Sequence, residues 1–314
     1  MSGGVEASAR RVAVEEETVH ARGYWRQSLH RLARQRVTLA ALGVLLVLFV
    51  VGALAPQVAP HGWNWIDLSP HWRNHPPTFE GGHVFGTDNI GRDILTRTLW
   101  GLHYTEQTAL IGALFATLLG VAVGAFAALL GGWPDATLMR IADLVAGFPA
   151  IILMIIAFEY FRPVSVWTAT FVFALTLWTV VARITRARLA ALAPEEFVQA
   201  ARSLGATESR VFFKHLLPNA AGTIVVAATS VVGLILLVEA TTEFFGYGIP
   251  SIERPTLGNL IGEPTSSGIG AYNIVGLGWW VWVAPAVLLV VLLCCVNLVG
   301  DGLDAALNPH TPRR

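Results

Sequence analysis

Residues 37–56 carry no charged side chain, and five further stretches of the chain are almost as apolar. That pattern limits the fold more than any motif does. A bilayer core about 30 Å thick takes about 20 apolar residues as one helix. Inside it, every backbone N–H and C=O must find a partner within the protein, which favours helices. The candidate spans are 37–56, 108–130, 138–160, 164–182, 223–242 and 279–300. Trp279, Trp280 and Trp282 open the last span, where an interfacial belt of aromatic rings belongs. The third is the least clean, because Arg140 and Asp143 lie near its start. Only 13% of the residues are charged, against about 25% in an ordinary soluble domain, and 54% are hydrophobic. The expected fold class is an all-α integral membrane protein with about six transmembrane helices.

Several function classes lose support at once. Net charge is zero, so nothing draws the chain to nucleic acid. The two cysteines, Cys294 and Cys295, are adjacent within an apolar run and offer neither a disulfide framework nor metal-ligand spacing. A Walker A loop needs a lysine after glycines to hold phosphates, but the sole lysine, Lys214, follows Phe212-Phe213. If ATP drives this chain, another chain must bind it. Residues 1–20 hold no apolar region of the kind a secretory signal has, and 1–21 is expected to be a disordered cytoplasmic tail. From 22 to 36 the chain is basic and amphipathic, with Tyr24, Trp25, Leu29 and Leu32 among its arginines. A helix lying on the membrane surface is expected there.

Orientation follows from the arginines. With the N- and C-termini in the cytoplasm, sixteen of the 21 Lys and Arg residues lie inside. Arg73, Arg92, Arg97, Arg162 and Arg254 lie outside. This layout gives an outer segment at 57–105, a membrane core at 106–309 with five helices, a cytoplasmic loop at 183–218, a second outer loop at 246–278 and a cytoplasmic tail at 310–314. No internal repeat is visible, which weakens any reading as an inverted-repeat secondary transporter.

Within the cytoplasmic loop, 194–218 has its own helical pattern. Pro194 suits a first helical position, and Glu195 and Glu196 suit the positive end of a helix. Phe197, Ala201 and Leu204 repeat at helical spacing, and Gly205 is a natural stop. A second short helix over 207–216 presents Val211, Phe212 and Phe213 before Pro218 ends it. The result is a helix-turn-helix. It either packs on its own bundle or offers a docking surface to a soluble partner.

Here a resemblance becomes specific. The order Gln199-Ala200-Ala201, three residues, Gly205, nine residues, His215, Leu216, Leu217, Pro218 resembles the EAA loop of bacterial ABC-importer permeases. Gln199 stands where the pattern has Glu, and His215 stands where it has an apolar residue. The stretch Gly86-Thr87-Asp88-Asn89-Ile90-Gly91-Arg92-Asp93 resembles the GTDxxGRD signature of C-type permeases of dipeptide, oligopeptide and nickel importers. Gly131-Gly132-Trp133 with Asp135, Phe148-Pro149, Glu239-Ala240, Gly258-Asn259, Gly300-Asp301-Gly302-Leu303 and Asn308-Pro309 are similar to later pieces of that family. Glu243, Leu257 and the length of 264–278 depart from it.

The resemblance covers 37–309 and implies a type I importer permease of the bacterial inner membrane, itself without catalysis. The chain would pair with a homologous B-type permease and receive a substrate-binding protein outside. Of two cytoplasmic ATPases, which carry the ATP and Mg, it would engage one through Glu196, Phe197, Gln199, Ala200, Ala201, Gly205, Ala206, His215, Leu217 and Pro218. Short peptides are the implied cargo, with nickel chelates, glutathione and haem as alternatives. A self-sufficient transporter or channel, or a membrane-embedded enzyme, would leave the EAA-like spacing unexplained.

Two clusters remain. His83, Asp88 and Asp93 are metal-ligand types in one window, but their spacing does not converge on one helix face, so no metal site is expected. A structural role is expected instead for Gly86, Thr87, Asp88, Gly91, Arg92 and Asp93. Asp88 would pair with Arg92, and Thr87 or Asp88 would cap a short surface helix running to Trp100. His61, His71 and His75 read as loop histidines. The acids Glu106, Glu159, Glu239 and Glu243 fall near the outer ends of their spans, either reaching into water or forming an acidic mouth. Glu239 and Glu243 join Asp143, Phe148 and Pro149 as candidates for the translocation path. Arg140 is the expected ion partner of Asp143. Gly120 and Gly124, with Gly112 two turns earlier, predict close helix packing.

Overall fold

The computed structural model describes residues 27–266 and 278–307. Among them there is no β-strand, and the only sheet-like pairing is one antiparallel bridge between Thr87 and Asp93. The principal helices are α1 (Arg36–Ala53), α2 (Ile94–Leu130), α3 (Gly132–Gly147), α4 (Ala150–Tyr160), α5 (Val166–Leu192), α6 (Glu196–Ser203), α7 (Glu208–Val211), α8 (Leu217–Phe244), α9 (Leu257–Ser266) and α10 (Trp279–Leu307). Five helical runs are long and apolar enough to cross a membrane: α1, α2, α5, the run Glu208–Phe244 that ends in α8, and α10. Helices α3 and α4 make a sixth crossing only as a pair, bent by 87°. Large apolar side chains such as Leu46, Leu114, Phe126, Ile156 and Trp167 stay exposed on these helices, as a lipid surround permits.

Helices α2 and α5 form the closest-packed pair. A Cβ on Gly124 would lie 2.4 Å from the Ala182 carbonyl oxygen, and one on Gly120 would lie 2.6 Å from Val181 Cβ. Both glycines are therefore contact points at which the backbones meet, as their spacing predicts. The main core fills the space between α2, α5, α8 and α10, around Leu102, Phe158, Phe173, Ile235 and Leu292.

Three expectations about the elements need correction. First, α2 starts at Ile94 and not near 108, so the outer segment expected over 57–105 joins the second span without a break from Ile94 onward. The expected surface helix is simply the first turns of α2. Its cap is Asp93, whose side chain accepts from the Thr96 N–H at 2.7 Å, not Thr87 or Asp88. Second, the span expected at 138–160 is broken. Phe148 is extended at φ −85° and ψ 139°, because a residue before proline is disfavoured in the helical region, and Pro149 has no N–H to donate. Third, α5, α8 and α10 outrun their apolar stretches. Hydropathy reads the thickness of a membrane, not the length of a helix that continues beyond it. The tails expected at 1–21 and 310–314, residues 22–26 of the expected surface helix, residues 267–277 and the pair Asn308-Pro309 lie outside the described residues. The described part of the surface segment is helical over 27–32 and turns at 33–34 before α1.

Candidate functional site

The two ends of the bundle carry the motif residues. At one end, α5 runs to Leu192, and α6 begins after three intervening residues. Gly205, at φ 81°, turns the chain where a side chain would be strained. The Thr207 hydroxyl caps α7 by accepting from the Arg210 N–H at 3.3 Å. A π-turn then spans Phe212–Leu216, closed by the Leu217 N–H reaching back five residues to the Phe212 carbonyl. Pro218 accounts for it: its ring crowds the carbonyl four residues earlier and it offers no N–H, so the backbone widens just before it.

This unit is seated on its own bundle. Val198, Ala201, Val211, Phe212 and Leu216 are buried against Leu189 and Leu192 of α5, Ala125 of α2 and Ala220 of α8. The expected face of Phe197, Ala201 and Leu204 is therefore split: Ala201 points inward with Val198, while Leu204, at the helix end, is 84% exposed. Glu196, Phe197, Gln199, Ala200, Gly205 and Pro218 are exposed, and Ala206, His215 and Leu217 are half-buried. Phe213 is 66% exposed. The Gln199 side chain donates to the Ala193 carbonyl at the end of α5, at 3.0 Å. A carboxylate at this position has no proton to donate there, so Gln in place of Glu has a local structural use. Across the turn, Arg202 holds Glu208 through two bonds of 2.9 and 3.0 Å. These bonds raise the Arg202 pKa and lower that of Glu208.

At the far end, residues 57–93 fold into a knot around the Gly86–Asp93 motif. Gly86 and Gly91 have φ of 76° and 90°, and a Cβ on either would strike the backbone of His75 or Asp67. The Thr87 hydroxyl donates to the Trp72 carbonyl and accepts from the His75 N–H. Asp88 accepts from the N–H groups of Ile90 and Arg92 and pairs with the Arg92 side chain, as the spacing predicts, though in a turn and not on a helix. Arg97, 1% exposed, reaches Asp88 at 3.3 Å and Glu263 of α9 at 2.7 Å. Glu263 also meets Arg92. Burial pushes the Glu263 carboxyl up, but Arg97 and Arg92 outweigh that and hold it below its ordinary value. For Arg92 burial pulls down, and Asp88 and Glu263 more than reverse it. Asp93 caps α2 and bonds His83 Nδ1 at 3.0 Å. Among the described residues, no group of three His, Cys, Asp or Glu side chains is arranged to hold a metal ion.

The intramembrane acids sit differently from expectation. Glu239 and Glu243 are 1% and 5% exposed, enclosed within the chain and not lining a wet mouth. Glu243 accepts from the Thr256 hydroxyl and lies against Gly248 and Gly258, so it organises the connection into α9. Glu106 is buried against Gly52 of α1, while Glu159 is exposed and ion-paired with Arg162. Asp143 pairs with Arg183 of α5 at 3.1 Å, not with Arg140. Its neighbour Phe148 is exposed at the break before Pro149. Sequence reasoning missed Glu263, and it missed Arg183 and Arg186 as partners of Asp143 and Asp135. The available signal was an unmatched charge beside an apolar span.

Comparison with known proteins agrees with the geometry. Residues 116–312 match the family described as the binding-protein-dependent transport system inner membrane component. The chain belongs to that family. Residues 23–77 also match the N-terminal transmembrane domain of oligopeptide transport permease C. The oligopeptide transport system permease protein OppC of Mycobacterium tuberculosis is 32% identical over 286 residues, covering 90% of this chain and 93% of its own. The dipeptide transport system permease protein DppC of Bacillus subtilis is 32% identical over 294 residues, covering 92% and 87%. A solved chain of the inward-facing MetNI methionine ABC transporter superposes with TM-score 0.55 at 22% identity, covering 67% of this chain and 96% of that one. The fold is that of a type I ABC-importer permease, and the protein is a multi-pass component of the inner membrane.

Proposed function

We propose that this chain is one half of the membrane pathway of an importer for short peptides, driven by ATPases that grip its 194–218 loop from the cytoplasm. The observation that carries the reading is the loop itself. Its inward side is packed on α2, α5 and α8, while Glu196, Phe197, Gln199, Leu204 and Phe213 remain exposed around the turn. Exposed apolar groups on a rigid polar mount are what a partner surface needs. The peptide cargo is inferred from the names of the relatives. A cytoplasmic position for both termini is supported by the sixteen Lys and Arg residues on that side. That both ends share one side is supported by the close approach of Thr38, near the start of α1, to Gly302, near the end of α10. In this reading the chain itself performs no chemistry. A homologous permease completes the pathway, a binding protein delivers the peptide from outside, and ATP and Mg are held by the partner ATPases.

The test is reconstitution. The complex purified through this chain is placed in proteoliposomes and supplied with labelled di- and tripeptides. Uptake that requires ATP and the binding protein is expected. Uptake by the isolated chain, driven by an ion gradient, would contradict the reading.

A further inference from the structure

Helix α3 is attached to the rest of the bundle in an unusual way. Of its sixteen residues only Ala142 is buried, in a small cluster with Trp178 and Ala182 of α5. Ile141 and Leu144 stay exposed. Both of its ends are non-helical joints. Gly131 and Gly132 lead in at φ 60° and 53°, with open space around each, and the extended Phe148 with Pro149 leads out into the 87° bend. Beyond that apolar contact, which Leu119 and Val123 of α2 also join, charge fastens α3. Arg186 of α5 holds Asp135 through both of its oxygens, with Nε to Oδ1 at 3.0 Å. One turn earlier on α5, Arg183 bonds Asp143 at 3.1 Å and the Ala142 carbonyl at 3.3 Å.

The other end of α5 is bound to the loop. Leu189 and Leu192 share a core with Val198, Ala201, Val211 and Phe212, and Gln199 bonds the Ala193 carbonyl. The helix is unbroken from Arg183 to Leu192. Loop and arginines therefore belong to one stiff body, and α3 is held to it by two ion pairs and the Ala142 contact, between two joints. A helix held in this way moves with its holder and takes up the change at the joints.

We propose that Arg183 and Arg186 are positioning residues of transport: they tie α3 to α5, so that movement of the 194–218 loop carries α3 along and swings it about the Phe148–Pro149 break. The proposal rests on the importer reading above.

The experiment uses the complete importer in proteoliposomes, with uptake and ATP hydrolysis measured together. Arg186→Gln lowers peptide taken up per ATP hydrolysed by about fivefold or more, the scale of an ordinary coupling between sites. The exchanged pair Asp135→Arg with Arg186→Asp recovers it. A purely structural role lowers uptake and hydrolysis together with the yield of complex, and that result overturns the proposal, as does an unchanged ratio. A second measurement does not depend on these variants. Spin labels at the exposed positions 144 and 188 keep their separation when ATP is added, while labels at 144 and 156 change theirs, in a background with Cys294 and Cys295 replaced by alanine. A changing 144–188 distance, or a fixed 144–156 distance, overturns the proposal. Absence of ATP-driven uptake by the unsubstituted complex is a different result, and it refutes the importer reading itself.

Discussion

The far-end knot and the 194–218 loop use similar residue types to opposite ends. In the knot, Asp88, Arg92, Arg97 and Glu263 are closed on one another, and Asp93 is divided between a helix cap and a histidine. In the loop, the buried side is apolar, and Arg202 with Glu208 forms an exposed clip, with Leu204 and Phe213 in the open. The knot pairs its buried charges with one another inside the chain, which serves the fold, while Leu68 and Phe79 stay exposed at its surface. The loop is mounted on the bundle by an apolar core instead, with its ion pair and its apolar tips on the open side, the arrangement of a docking surface.

That contrast can be broken. The largest effect is expected from Asp88→Ala, which leaves two buried arginines to share Glu263 alone and costs about 3–5 kcal/mol. Thermal melting of the detergent-purified chain measures it, and a loss below about 1 kcal/mol counts against the knot as a structural device. Next comes Gly124→Val, which forces α2 away from the Ala182 carbonyl and costs about 1–3 kcal/mol by the same measurement. Gln199→Glu removes the donor to the Ala193 carbonyl at an exposed site, for about 1 kcal/mol or less, read as faster hydrogen exchange over α6 and not as a lower melting point. The smallest effect is one of pH. Glu263 has a lowered pKa in the fold, so its contribution is complete above the ordinary value of 4.5 and is lost as acid protonates it below that. Acid titration from pH 5 downward should loosen hydrogen exchange around 86–97 before the loop changes, and Glu263→Gln should remove that early step.

Much of this was legible in the sequence. The apolar runs located five spans and the region of the bent sixth, the glycine spacing of 120 and 124 anticipated the close approach of α2 and α5, and the EAA-like order located the loop. The interruption at Phe148-Pro149 was visible as residues but not as a bend, since the apolar run passes straight through it. The pairings were not legible. Arg97 finds Glu263 across 166 positions and Arg186 finds Asp135 across 51, and only the packed bundle brings those charges together. Local spacing offered Arg140 to Asp143, and tertiary structure supplied Arg183. For the same reason Glu239 and Glu243 read as water-facing acids: their burial within the packed bundle, Glu243 by the chain leading into α9, is not a local property.

The central claim is that the loop, and not the knot, is the surface an ATPase holds. It is tested most directly by cross-linking in the assembled complex, with Cys294 and Cys295 replaced by alanine. Single cysteines are placed at the exposed positions Leu204 in the loop and Phe79 in the knot. The account predicts a covalent link from position 204 to the ATPase and none from position 79. A link at 79, or an intact complex with no link at 204, would contradict it.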